Sequence, residues 1–119
     1  MATGSGLRVV YGSGCADEVE LRAVVEAVCP VTGIVDLYRL VLRYQPPGGP
    51  EGCRYIEALS FHNYLSGFRG TRVLQEELAA RVALDVCHAL GGGSVVVELE
   101  GAHGPVEMRV RVARSCSHQ

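Results

Sequence analysis

Two alternating runs joined by a four-residue turn constrain this chain more than any other feature. "VELRAVVEAV" (Val19 to Val28) alternates apolar and polar residues and is rich in β-branched side chains, as a half-buried strand requires. "IVDLYRLVLRYQ" alternates again, with Leu40 and Leu42 on one face and Arg39, Val41 and Arg43 on the other. Between them, "PVTG" supplies the proline and glycine of a tight reversal, so the pair reads as an antiparallel hairpin.

After a loop, "PPGGPEG", the period changes. "EALSFHNYLSGF" places Leu59, His62, Leu65 and Phe68 at helical spacing, which predicts a short helix. A longer one follows: Thr71 is a candidate N-cap, Leu74, Leu78, Val82, Val86 and Leu90 form one stripe, and Gly91 opens a "GGG" stop. Two further alternating runs, "SVVVELEG" and "PVEMRVRVAR", flank the turn residues "GAHG". The order strand, strand, helix, helix, strand, strand predicts an α+β fold in which a four-stranded antiparallel sheet carries both helices on one face.

At 119 residues the whole chain, 1–119, reads as a single domain, small for an enzyme that must enclose a pocket alone, so self-association is expected. The net charge of -2 gives no basic excess for nucleic acid, and every one of the 11 basic residues is arginine. Local basic stripes remain available from Arg39 with Arg43 and Arg109 with Arg111. No apolar run is long enough to span a bilayer, and "MATGSGLRVV" lacks the basic and apolar regions of a secretion signal, so a cytoplasmic location away from membranes is expected. Cysteines 15, 29, 53, 87 and 116 form an odd set without a CxxC pair, which argues against a disulfide framework and a zinc ribbon and leaves at least one thiol free. His62, His88, His103 and His118 have no metal-ligand spacing, and no glycine loop precedes a helix as a phosphate cradle should.

Cys29 ends the first long strand, where it is either a small hydrophobe or a nucleophile. Asp36 opens the second, where it either caps the turn or faces the thiol as an acid. Carboxylates gather at the helix starts: Glu57, then Glu76 and Glu77 after Gln75. For any of them the helix dipole is a sufficient structural reason, and Glu77 is assigned to it. A carboxylate there also matches two adjacent N–H donors on a guanine-like ring.

"CPVTGIVD", "IEALSFHNYLSGFRG" and "VLQEE" together resemble the nitrile reductases of the QueF family, which act on 7-cyano-7-deazaguanine. The resemblance runs from about Cys29 to Glu76 and needs no gap between Ile56 and Glu76. It implies a tunnelling fold whose subunits join their sheets into an oligomeric barrel, with active sites between subunits. It also implies roles: Cys29 adds to the nitrile carbon to give a thioimidate, Asp36 handles the proton, and Glu57 and Glu76 grip the base, with Ser60 and Gln75 as further pocket residues. The reductases carry two lysines toward the dinucleotide phosphates; Leu59 and His62 stand there, and Gln75 replaces the histidine of their His-Glu pair. Losing a charge-assisted phosphate contact removes about 1.5–3 kcal/mol.

A shorter relative without that lysine stretch is the QueF-like archaeosine synthase. The resemblance to it implies an amidinotransferase in which ammonia, not hydride, attacks the thioimidate, turning the cyano-deazaguanine of the tRNA D-loop into archaeosine with no cofactor and no metal. Two alternatives stand beside this: an NADPH-dependent reductase using His62, Arg69 or Arg72 in place of the lysines, and a non-catalytic purine- or pterin-binding protein in which Cys29 is packing.

Overall fold

The computed structural model describes residues 6–116. Residues 1–5, where the reading for a secretion signal begins, and His118 lie outside the described residues. In chain order the elements are β1 (Val9–Gly12), β2 (Val19–Val28), β3 (Val35–Gln45), β4 (Cys53–Ile56), α1 (Ala58–Ser66), α2 (Gln75–Leu90), β5 (Ser94–His103) and β6 (Val106–Ser115). Four of the strands form an antiparallel sheet in the order β2-β3-β5-β6. The alternation sets its two faces. Tyr38, Leu40, Leu42 and Tyr44 of β3, with Val95, Val97 and Leu99 of β5, are buried in one core with the helices. Among the described residues no helix is long and apolar enough to cross a membrane.

The opposite face is charged, and its charges are paired across strands. Arg43 bonds Glu20 at 2.9 Å and approaches Glu98 at 3.4 Å; Arg39 reaches Glu100 at 3.0 Å and Arg111 reaches Glu98 at 3.8 Å. The basic stripes expected from the sequence are therefore interleaved with carboxylates and mostly neutralised. Each exposed pair adds little stability, but opposite charges facing one another do fix register.

α2 shows the anticipated stripe from Leu78 onward: Leu78, Val82, Val86 and Leu90 are fully buried, whereas Leu74 precedes the helix as its N-cap and is exposed. Its start differs from the expectation at Thr71. The Thr71 carbonyl accepts from the Val28 N–H (2.8 Å) and the Val73 N–H donates to the Val28 carbonyl (3.1 Å), so this segment stays extended against the end of β2. The helix begins at Gln75, where the Glu77 carboxylate accepts from the Leu74 N–H at 3.1 Å, the dipole role assigned to Glu77. It ends at Gly91, whose φ of 71° suits glycine, and Arg54 Nε donates to the Leu90 carbonyl at 2.6 Å. In α1 the buried face is Ser60, Phe61, Tyr64 and Leu65, one step round from the expected stripe, and Leu59 points to solvent.

Three features had no counterpart in the sequence reading. β1 pairs with β4 in a small second sheet, each strand only four residues long. β5 continues through His103, so the turn is Gly104 and Pro105 and not the whole of "GAHG". Finally, Cys15 bonds Cys53 and Cys87 bonds Cys116, correcting the expectation of no disulfide framework. The partners are 38 and 29 residues apart, brought together by β1–β4 pairing and by α2 packing on β6, so local spacing carried no sign of them.

Candidate functional site

Cys29 is the one free cysteine. It leaves β2 and enters a turn closed at both ends: its N–H donates to the Ile34 carbonyl (2.9 Å), and its carbonyl accepts from the Gly33 N–H (2.8 Å). Gly33 sits at φ 75°, a conformation that side-chain-bearing residues avoid. Folding the turn this way aims polar groups at the sulfur. The Thr32 hydroxyl, then the N–H groups of Thr32 and Val31, hold the Cys29 thiol below its ordinary range, against the opposing effects of burial and the Asp36 charge. A half-buried thiol favoured toward thiolate is the state a soft nucleophile needs.

Register brings the acid close. Ala27 of β2 pairs with Asp36 of β3, which puts the carboxylate two residues from Cys29 along the strand and on the core face. Asp36 is largely buried, accepts from the Tyr38 hydroxyl at 3.1 Å, and lies 3.8 Å from His103 Nδ1. Burial and the Asp36 charge both push the Tyr38 phenol well above its usual range, so Tyr38 stays a donor at any working pH. The extended segment of Thr71 to Val73 beside Val28 then delivers the start of α2 to the same place.

A cleft of about 180 Å³ results, lined by Cys29, Pro30, Tyr38, Leu74, Glu76 and His103 among others. Gln75 is beneath it, 2% exposed; its amide Nε2 donates to the carbonyls of Leu99 (3.0 Å) and Met108 (3.2 Å), and its Oε1 meets His103 Nε2 at 2.8 Å. A larger hollow of about 470 Å³ lies on the charged face, among Arg22, Arg39, Glu98, Glu100 and Arg109. It holds no nucleophile; Arg39 pairs with Glu100 inside it, and Glu98 pairs with Arg43 and Arg111 at its border, so the smaller cleft is the candidate site.

The sequence-predicted residues thus divide. Cys29, Asp36, Gln75 and Glu76 come together within one chain. Glu57 and Ser60 do not: Glu57 caps α1, its two oxygens accepting from the N–H groups of Leu59 (2.8 Å) and Ser60 (2.7 Å), which lowers its pKa. Ser60 accepts from the Arg8 N–H (3.0 Å) and donates to the Glu57 carbonyl (2.8 Å). His103 and Tyr38 were not among the expected site residues, and Arg72 was expected only as a stand-in cation in the reductase alternative. Arg72 lays its guanidinium over the turn, within 4 Å of where a side chain on Gly33 would begin, and among the described residues it has no ion-pair partner. Tyr38 shares a face with Asp36 at i, i+2, a signal available in the sequence; His103 and Arg72 reach the site only through tertiary pairing.

No protein-family profile matches the chain. Over 64 residues it is 34% identical to the NADPH-dependent 7-cyano-7-deazaguanine reductases of Thermotoga petrophila and Thermotoga maritima, a stretch covering 54% of this chain and 44% of each relative. The match thus spans less than half the length of these curated relatives. In fold it is similar to the crystal structure of the archaeosine synthase QueF-Like in the apo form, with TM-score 0.76 and 26% identity over 84% of this chain and 95% of that one. In fold over most of its length, and in sequence over about half of it, the chain resembles the QueF-like archaeosine synthase and the 7-cyano-7-deazaguanine reductases.

Proposed function

We propose that the chain is a tRNA-modifying amidinotransferase that converts the nitrile of 7-cyano-7-deazaguanine in the tRNA D-loop to the formamidine of archaeosine. The observation that carries this reading is the single free thiol, held toward thiolate by its own turn beside Asp36, on a fold like that of the QueF-like synthase. The Cys29 sulfur bonds to the nitrile carbon, one C–N π bond breaks, and Asp36 supplies the proton that the nitrogen gains, leaving a thioimidate. Ammonia then adds to the same carbon and the thiolate departs with its electron pair. Nothing is oxidised or reduced, so no cofactor takes part.

Glu76 at the cleft holds the base. Ligand pockets commonly need ~300–1,000 Å³, and one chain offers about 180 Å³ here, which supports a homo-oligomer whose sites lie between subunits. In such an assembly of single tunnelling-fold domains, the α1 start of one subunit brings Glu57 toward the cleft of its neighbour. The exposed Val31, Ile34 and Leu37 around the turn are the apolar rim such a contact covers.

The second reading, a nitrile reductase using NADPH, is favoured by the names of the sequence relatives. Against it, Leu59 and His62 at the two lysine positions are exposed on α1 and provide no fixed cation, though Arg72 lies over the turn. Incubation with tRNA carrying the nitrile base, with ammonium and separately with NADPH, followed by nucleoside mass, separates the two. Formamidine formed with ammonium alone is the expected product. An aminomethyl product dependent on NADPH overturns the proposal in favour of the reductase.

A further inference from the structure

We propose that His103 is a positioning residue that holds the site's mobile proton against Asp36, with Gln75 fixing which ring nitrogen does so; the inference rests on the reading of Cys29 and Asp36 as the reacting pair. Gln75 Nε2 donates to two strand carbonyls, Leu99 and Met108, so its orientation is set and Oε1 is left as an acceptor. The atom 2.8 Å from that oxygen is His103 Nε2, which must therefore carry a hydrogen. In the neutral imidazole this leaves the lone pair on Nδ1, and Nδ1 faces Asp36 Oδ2 at 3.8 Å.

The groups around the ring are Asp36 and Tyr38 from β3, Gln75 and Glu76 from the start of α2, and Cys29 from the turn; β6 contributes Met108 and Val106, which do not titrate. Tyr38 already donates to Asp36 Oδ2, the oxygen that His103 approaches. Asp36 is thus served from one side by a permanent donor and from the other by a base that can take a proton. When Cys29 loses its proton, imidazolium at His103 offsets the Asp36 charge that otherwise opposes the thiolate. The same proton returns through Asp36 to the nitrile nitrogen as the C–S bond forms, so the protons balance within the site's own groups.

His103→Gln tests this, since glutamine can still donate to Gln75 but cannot hold a second proton. The rate of Cys29 alkylation by iodoacetamide is followed against pH in the wild type and the variant; the other four cysteines are bonded, so the signal is Cys29 alone. The variant's inflection is expected at higher pH, with alkylation near neutrality slowed by about three- to tenfold, up to one pKa unit. Thioimidate formation with the free nitrile base, read as intact mass, slows by a similar factor. In parallel, ¹⁵N NMR of the wild type is expected to show the Nε2–H tautomer and a His103 titration that moves when Cys29 is changed to Ser, because the coupling is reciprocal. Identical alkylation profiles, or an Nδ1–H tautomer, overturn the inference. If wild-type protein forms no adduct but the alkylation coupling is present, the substrate reading fails and the role of His103 stands.

Discussion

The two ends of α2 lie in opposite settings. At its C-terminal end the chain is tied down: the Cys87–Cys116 disulfide joins the helix to the end of β6, Arg54 caps the last turn, and Cys15–Cys53 secures the small sheet nearby. At its N-terminal end lie the Cys29 turn, the cleft and a fringe of exposed apolar side chains, Val31, Ile34, Val35 and Leu37. One end is closed by covalent and capping bonds; the other keeps a thiol, a carboxylate and an imidazole around an open cleft. The bonds that hold the fold together and the candidate site thus lie at separate ends, so each end can be changed with little effect on the other's readout.

The largest effect is expected at the open end. Cys29→Ala should abolish adduct and product, a loss of more than about a thousandfold, with no change in melting temperature; product formation by the variant would remove Cys29 from the mechanism. At the closed end, Cys87→Ala with Cys116→Ala should lower unfolding free energy by about 3–4 kcal/mol, from the loop of 29 residues that the bond closes. Denaturant melts measure this, and Cys29 should still alkylate at one equivalent per chain. Gly101→Val links the ends of the comparison, because a β-carbon there would lie 2.6 Å from Tyr38 Cδ1. It should cost about 1–3 kcal/mol by overpacking and also slow adduct formation, since Tyr38 steadies Asp36; a stability loss with unchanged adduct kinetics would uncouple them.

Smaller effects sharpen the contrast. Arg54→Met should cost about 1–2 kcal/mol by leaving the Leu90 carbonyl and helix end unserved, without moving the pH profile of alkylation. Thr32→Val should do the reverse. The turn lowers the folded pKa of Cys29, so its contribution to stability is fully present above the unfolded thiol's pKa and is lost as pH falls through the folded one. Removing the hydroxyl should shift the alkylation inflection upward while leaving the melting temperature at acidic pH unchanged; an unmoved inflection would show that the hydroxyl does not tune the thiol.

Much of the sheet was legible because alternation is local: Tyr38, Leu40 and Leu42 could be assigned to one face from sequence alone. The helical stripe of Leu78, Val82, Val86 and Leu90 was legible for the same reason. Cys29 and Asp36 were legible because one hairpin brings them together. β1 and β4 were not, since four-residue strands have too few repeats for a period and pair only with each other across more than 40 residues. The start of α2 was misplaced because Thr71 has a good capping side chain, yet its backbone is claimed by Val28. His103 read as a turn residue for want of any local sign that β5 would carry it to the cleft, and the disulfides were hidden by the same non-locality.

α2 also has a mechanical meaning. Its 16 residues make a stiff rod of roughly 24 Å, bonded to β6 near one end and carrying Gln75 at the other. A tilt of about 5° about the bonded end would swing the far end by about 2 Å, enough to part Gln75 from His103. Packing on β5 and β6 along its length holds the rod against such a tilt whether or not the disulfide is present, which is what keeps the imidazole's alignment independent of the bonded end.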